Sequence, residues 1–241
     1  ADVGSGSGGV SMGGTSMAAP HIAGVAALMV QANSGWSPEA IKAAMMNTAV
    51  PLRDGTPIPL SGAGRVNAFR AVDTNVYAVG LDDLISLSWG VPMSRNDSVT
   101  RVNHVTLYNE GAAAQVFTAT VGLQAGSRTA GATLTVAPAQ VTVPANGSAI
   151  VTVTLNVDMT QIPVVYGAVE EYYGFVNFTP PSGITDTLVV PFYFQPRPYS
   201  QLEEIVASNV ITNPESDIAT FEITHRGPIT SSLWAYPALA W

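Results

Sequence analysis

Hydrophobic and polar positions divide the chain into two textures. From Ser16 to about Gln31 nearly every position is apolar or small, with no polar stripe. A helix that is hydrophobic all round is a buried one, so this run predicts a helix enclosed by its neighbours. Ala18, Ala19, Ala23, Gly24, Ala26 and Ala27 keep it thin enough for close approach. Pro20 reads as part of the first turn, where a missing N–H costs nothing. Asn33-Ser34-Gly35 closes the helix. Ser37-Pro38-Glu39 then opens a second one, with serine as N-cap, proline at N1 and an acid in the first turn. Ile41, Ala44, Met45 and Thr48 share one face of it. A Gly- and Pro-rich loop from Pro51 to Gly64 leads into a short helical stretch ending near Val72.

Beyond Thr74 the period changes to that of strands. Val151 to Val157 alternates strictly between apolar and polar residues, and Phe117, Ala119, Val121 and Leu123 line one face of another run. Leu188, Val190, Phe192 and Phe194 form a third such face. Leu84–Trp89, Val102–Tyr108, Leu134–Val136, Val141–Val143 and Tyr172–Phe178 complete a set of about seven or eight strands, the number expected of an immunoglobulin-like or fibronectin-like sandwich. Gln195-Pro196-Arg197-Pro198 reads as a stiff linker. After it, Phe221 and Ile223 mark one more strand and Leu233-Trp234-Ala235-Tyr236 another, too few core positions to fold alone. The fold class expected is an α/β remnant over 1–75, an all-β sandwich over 76–198, and the start of a further β domain or a packed extension over 199–241.

Composition narrows the function. Charged residues are 11% of the 241 residues and the net charge is −8, with Lys42 the single lysine. Phosphate binding needs clustered Lys and Arg, so nucleic acid is excluded as a partner. The absence of cysteine removes disulfides, thiolate metal sites and cysteine catalysis together. No apolar run approaches the roughly 20 residues of a membrane-spanning helix. Gly4-Ser5-Gly6-Ser7-Gly8-Gly9 formally contains G-x-G-x-x-G, yet no strand precedes it and no helix follows directly, so it reads as a turn.

Ser16 stands where the apolar helix begins. Free backbone N–H groups and the helix dipole favour negative charge there, a suitable place for a hydroxyl whose attack creates an oxyanion. The stretch Gly14-Thr15-Ser16-Met17-Ala18-Ala19-Pro20 resembles the nucleophile motif of the subtilisin-like serine proteases, G-T-S-M-A-x-P, at every specified position. His21, Ala23 and Gly24 continue as that family does. Gly62-Ala63-Gly64-Arg65-Val66-Asn67-Ala68 resembles the segment that ends its protease domain. Val141-Thr142-Val143-Pro144-Ala145-Asn146-Gly147-Ser148 resembles the strand–turn–strand of sandwiches appended to large members.

The resemblance implies a secreted or cell-surface serine endopeptidase acting on peptide or protein substrates. Ser16 is then the nucleophile and, through its N–H, one oxyanion donor. Thr15 supports the oxyanion hole, and Met17 and Gly14 line the substrate cleft. The catalytic histidine, aspartate and oxyanion asparagine are expected upstream, so the missing N-terminal part of the catalytic domain is a necessary partner and these residues alone are expected to be inactive. No cofactor is required, and structural calcium stays open. Two other readings are a pseudoprotease scaffold and a sandwich that binds a cell-surface or protein partner.

The remaining candidates read as structural. His21 lies five residues past Ser16, about 7.5 Å along the helix and turned away, so it does not serve as its base. His104 and His225 belong to strand-rich segments. Glu170-Glu171 reads as a solvated turn, and Asp82-Asp83 supplies two acids where calcium needs six to eight oxygens. Asn96-Asp97-Ser98, Asn146-Gly147-Ser148 and Asn177-Phe178-Thr179 match the N-glycosylation pattern.

Overall fold

The computed structural model describes residues 12–52, 55–94, 98–162, 170–181, 187–198, 206–212 and 219–224. The glycine-rich stretch at Gly4–Gly9, Asn96-Asp97, His225 and Leu233–Tyr236 lie outside these. Among the described residues four α-helices come first: α1 (Thr15–Ala32), α2 (Pro38–Asn47), α3 (Ile58–Ser61) and α4 (Ala68–Asp73). Thirteen strands follow: β1 (Val76–Val79), β2 (Leu87–Ser88), β3 (Met93–Ser94), β4 (Ser98–Asn109), β5 (Gln115–Leu123), β6 (Ala132–Ala137), β7 (Gln140–Val143), β8 (Gly147–Asp158), β9 (Tyr172–Thr179), β10 (Leu188–Phe194), β11 (Arg197–Pro198), β12 (Val206–Thr212) and β13 (Ala219–Thr224).

Two sheets face one another, one with the order β1-β4-β8-β6 and one with β2-β10-β9-β5-β7. All their pairings are antiparallel except that of β2 with β10. Alternation does what period-two patterning requires: Val151, Val153, Leu155 and Val157 point inward with Phe117, Ala119, Val190 and Phe192 to form one continuous core. Trp89 meets Phe192 and Phe194 edge-on, and Tyr172 stacks on Phe194 at 5.0 Å between ring centres. Asn109, buried at the end of β4, accepts from Gly111 N–H and shares its amide hydrogens among Ala113 O, Val143 O and Pro144 O, tying two turns together.

Several expectations are corrected. Leu84–Trp89 forms a strand only at Leu87–Ser88, because Asp82 and Asp83 sit at φ 55 and 58 in a tight turn that leaves Leu84 exposed. Gln195–Pro198 is no free linker: Gln195 N–H bonds Gly90 O, Arg197 N–H bonds Pro92 O, and β11 pairs with β3. Helix α1 begins at Thr15, which puts Pro20 in the second turn, where it has no N–H to give to the Ser16 carbonyl.

The helix expected to be enclosed is largely open. Of α1 only Val25 and Met29 are buried, packed against Ile41 and Ala44 of α2 and Ala71 of α4. Leu28 and Val30 are 50% and 52% exposed. Helix α2 is the better covered one, since it packs on β1 from one sheet and β10 from the other. Strand β10 is therefore buried on both faces, Val189 and Pro191 as well as Val190 and Phe192, which suits its unbroken apolar run.

Gly174 is where the second sheet is tightest. A Cβ there would strike the Gly122 carbonyl oxygen and come within 2.8 Å of Leu123 Cα and 2.7 Å of the Phe192 ring. Gly174→Ala is expected to destabilise the chain by about 1–3 kcal/mol, as overpacking does in a dense core. Denaturant unfolding with an unshifted midpoint would contradict this.

Candidate active site

Gly14 is the N-cap of α1, at φ 141 and ψ 163, a region open essentially to glycine alone. That conformation turns the chain so that the Met17 and Ala18 N–H groups both reach Gly14 O, at 3.0 and 3.1 Å. Thr15 and Ser16 stand ahead of these first bonds. Their N–H groups have no intrahelical acceptor, and no side chain caps the helix. Among the described residues the N-terminus thus presents unclaimed donors beside the Ser16 hydroxyl, at the positive end of the macrodipole.

Gly14, Thr15 and Ser16 are exposed and Met17 is half-buried. Among the described residues the Ser16 hydroxyl has no hydrogen-bond partner. His21 is engaged elsewhere, its Nδ1 lying 2.7 Å from Met17 O, one turn back along the helix. His104, on the outer face of β4, bonds Thr152 Oγ1 across the strand pair. The structure therefore brings Gly14, Thr15, Ser16 and Met17 together at one helix end and brings neither described histidine to the serine.

The acidic candidates separate. Asp82 and Asp83 are exposed on their turn. Among the described residues no group of three or more metal-ligating side chains occurs. Glu170 is not in a solvated turn: its side chain is 5% exposed and pairs with Arg128 Nε at 2.6 Å. Burial is tolerable there because the guanidinium supplies the compensating charge. Glu171 accepts from the Tyr193 hydroxyl at 2.7 Å, and Gln195 Nε2 donates to the same hydroxyl. Burial first, and the Glu171 hydrogen bond second, raise the Tyr193 phenol above its usual range. Asn146 sits at φ 49 in the β7–β8 turn and Asn177 within β9.

One residue escapes motif reading. Asn47, fully buried at the end of α2, donates from Nδ2 to Val189 O at 3.1 Å and accepts from Ala78 N–H at 2.7 Å. Its signal is positional: three residues after Ala44, it lies on the helix face that Ile41 and Ala44 bury.

Gly14→Ala would force a side chain into a strained backbone state at a cost of about 1–3 kcal/mol. The expected release is fraying of the first turn, seen as faster hydrogen exchange of the Met17 and Ala18 amides with α2 unchanged. Unaltered exchange in the variant would show that the Gly14 conformation does not anchor Ser16.

Residues 5–80 match the subtilase family and residues 92–193 the Fn3-like domain family. Over 164 residues, 65% of this chain and 19% of the relative, the sequence is 34% identical to the minor extracellular protease Vpr of Bacillus subtilis. It is 43% identical over 88 residues to the subtilisin-like protease SBT3 of Solanum lycopersicum, covering 31% of this chain and 11% of that protein. With SBT1.9 of Arabidopsis thaliana, another subtilisin-like protease, it shares 47% identity over 75 residues, 30% of this chain and 10% of that one. The chain thus spans about a fifth or less of the length of these relatives. The similarity to subtilases therefore lies in residues 5–80 and that to Fn3-like domains in residues 92–193.

Proposed function

We propose that this chain is the nucleophile-bearing part of a secreted or cell-surface subtilisin-like serine endopeptidase. The observation that carries the reading is Ser16 at the uncapped start of α1, exposed and beside donors that no other group among the described residues uses. Its Oγ attacks the scissile carbonyl, and the carbonyl oxygen becomes an oxyanion held by the Ser16 N–H and an asparagine side chain. A histidine takes the hydroxyl proton and later passes it to the leaving amine, with an aspartate orienting the ring. Thr15 supports the oxyanion hole, while Gly14 and Met17 border the cleft. The histidine, aspartate and asparagine come from another part of the catalytic domain. The exposed apolar side chains of α1, Ile22, Leu28 and Val30 among them, support that arrangement as the surface that part covers.

In this reading residues 1–75 are catalytic-domain sequence, 76–198 the sandwich and 199–241 the start of a further β unit or a packed extension. The first boundary is supported by β1, which pairs with β4 inside the sandwich sheet.

An unactivated serine hydroxyl is a poor nucleophile, so the purified 241-residue chain is expected to lack peptidase activity, while a fluorophosphonate should label Ser16 in the intact protein. Robust hydrolysis by the chain alone, abolished by Ser16→Ala, would overturn the first expectation. Absence of labelling under conditions that label other subtilisin-like enzymes would favour a pseudoprotease. Peroxide treatment that converts Met17 to the sulfoxide should lower activity of the intact protein. Full activity after confirmed oxidation would place Met17 away from the cleft.

A further inference from the structure

The buried amide of Asn47 belongs to the helical segment, yet both its hydrogen bonds leave that segment. One goes to Val189 O on β10 and the other comes from Ala78 N–H on β1, so a single side chain holds one strand of each sheet. Each partner is a buried backbone group, costly to leave unpaired. Around the amide the seam is continuous. Ala43 packs with Val79 and Ile85, and Trp36, Tyr77 and Tyr108 form a ladder with successive ring centres 5.3 Å apart. Burial, then the charge of Glu110, pushes the Tyr77 phenol up to about 12, so it stays protonated and donates to Glu110. Arg70 of α4 adds a bond to Thr187 O, just before β10. Helix α1 packs on α2 and α4, through Val25 and Met29 against Ile41, Ala44 and Ala71. Mechanical continuity therefore runs from α1 into α2 and, through Asn47, into both sheets.

We propose that Asn47 is a positioning residue that makes α1, α2 and the sandwich one cooperative unit, so that the start of α1 is held in place by the folded sandwich. The word positioning rests on the reading of Ser16 as nucleophile. The coupling itself does not.

Hydrogen exchange of the 241-residue chain under increasing denaturant tests the coupling. In the wild type, amides of α2 and of the Val25–Met29 turn of α1 should become exposed in the same opening as those of β9 and β10. Release of the helices at clearly lower denaturant than the strands would overturn the proposal. Asn47→Leu keeps the branched shape, at a larger volume, and removes both bonds. It should speed helix exchange by about tenfold or more while the β5 and β9 amides hold, and an unchanged ratio would count against the proposal.

Asn47→Asp separates hydrogen bonding from space filling. Its protonated carboxyl can donate to Val189 O and accept from Ala78 N–H, whereas the carboxylate can only accept. Burial and the bond to Val189 O raise the folded pKa of this carboxyl above its unfolded value. Coupling should then be intact in acid and lost as pH rises through the folded pKa. Of the chain neighbours of Asn47, Ala78 and Val189, only Tyr77 titrates, and it does so far above this range. The charged groups on or beside these elements are Glu39 and Lys42 of α2, Arg70 at Thr187 O and Glu110 at the Tyr77 hydroxyl, so the same profile is compared with that of the wild type, which carries them all. A helix-exchange profile in the Asp variant that is flat with pH would refute the hydrogen-bonding role. Fluorophosphonate labelling of the intact protein keeps the two readings apart. Coupled exchange without labelling leaves the clamp standing and removes the nucleophile, and labelling with uncoupled exchange does the reverse.

Discussion

A helix that must bury a polar side chain needs partners at defined points, and the molecule is arranged around meeting that need. Asn47 lies where α2 crosses from β1 to β10, and its two bonds fix the height and the direction of the crossing together. Apolar contacts on either side are tolerant of small slides, because dispersion and water exclusion act without direction. The amide is not tolerant, since a shift of about an ångström would strand a buried donor and a buried acceptor. The seam so fixed explains why β10 has no solvent face and why β1 is buried although it is an edge strand.

Much of this was legible in the residues. The Ser37-Pro38-Glu39 start of α2 reads directly, because capping is local chemistry: Ser37 Oγ accepts from Ala40 N–H at 3.2 Å, and hydrogen bonds from its own backbone and from Ser37 lower the Glu39 carboxyl below its usual range. The inward face of β8 follows from strict alternation, which then admits one register with β4, the partner the structure supplies. The helix start within Gly14–Pro20 also reads directly, one residue from the observed Thr15, whereas the backbone state of Gly14 does not.

What stayed hidden depends on partners distant in the chain. Composition shows that α1 is suited to burial on every side, but not which surfaces cover it; among the described residues its buried side chains meet chiefly α2 and α4. Glu170 reads as an exposed acid until Arg128, far along the chain, is placed beside it. The Gln195–Pro198 segment has the composition of a linker, and its bonds to Gly90 and Pro92 come from chain geometry that composition does not encode. Asn47 shows its position on a buried face but not its two acceptor and donor partners, which lie 142 and 31 residues away.

The two-sided burial of β10 bears on how such a chain can be rearranged. A sandwich with one solvated outer face can be excised or exchanged as a cassette, since cutting at its ends exposes little. Removing this one would bare Val189 and Pro191 to water, while a replacement would have to offer α2 a carbonyl and an N–H in the same two places. Recombination that keeps α2 and the sandwich from one parent conserves the seam, and a crossover between them does not.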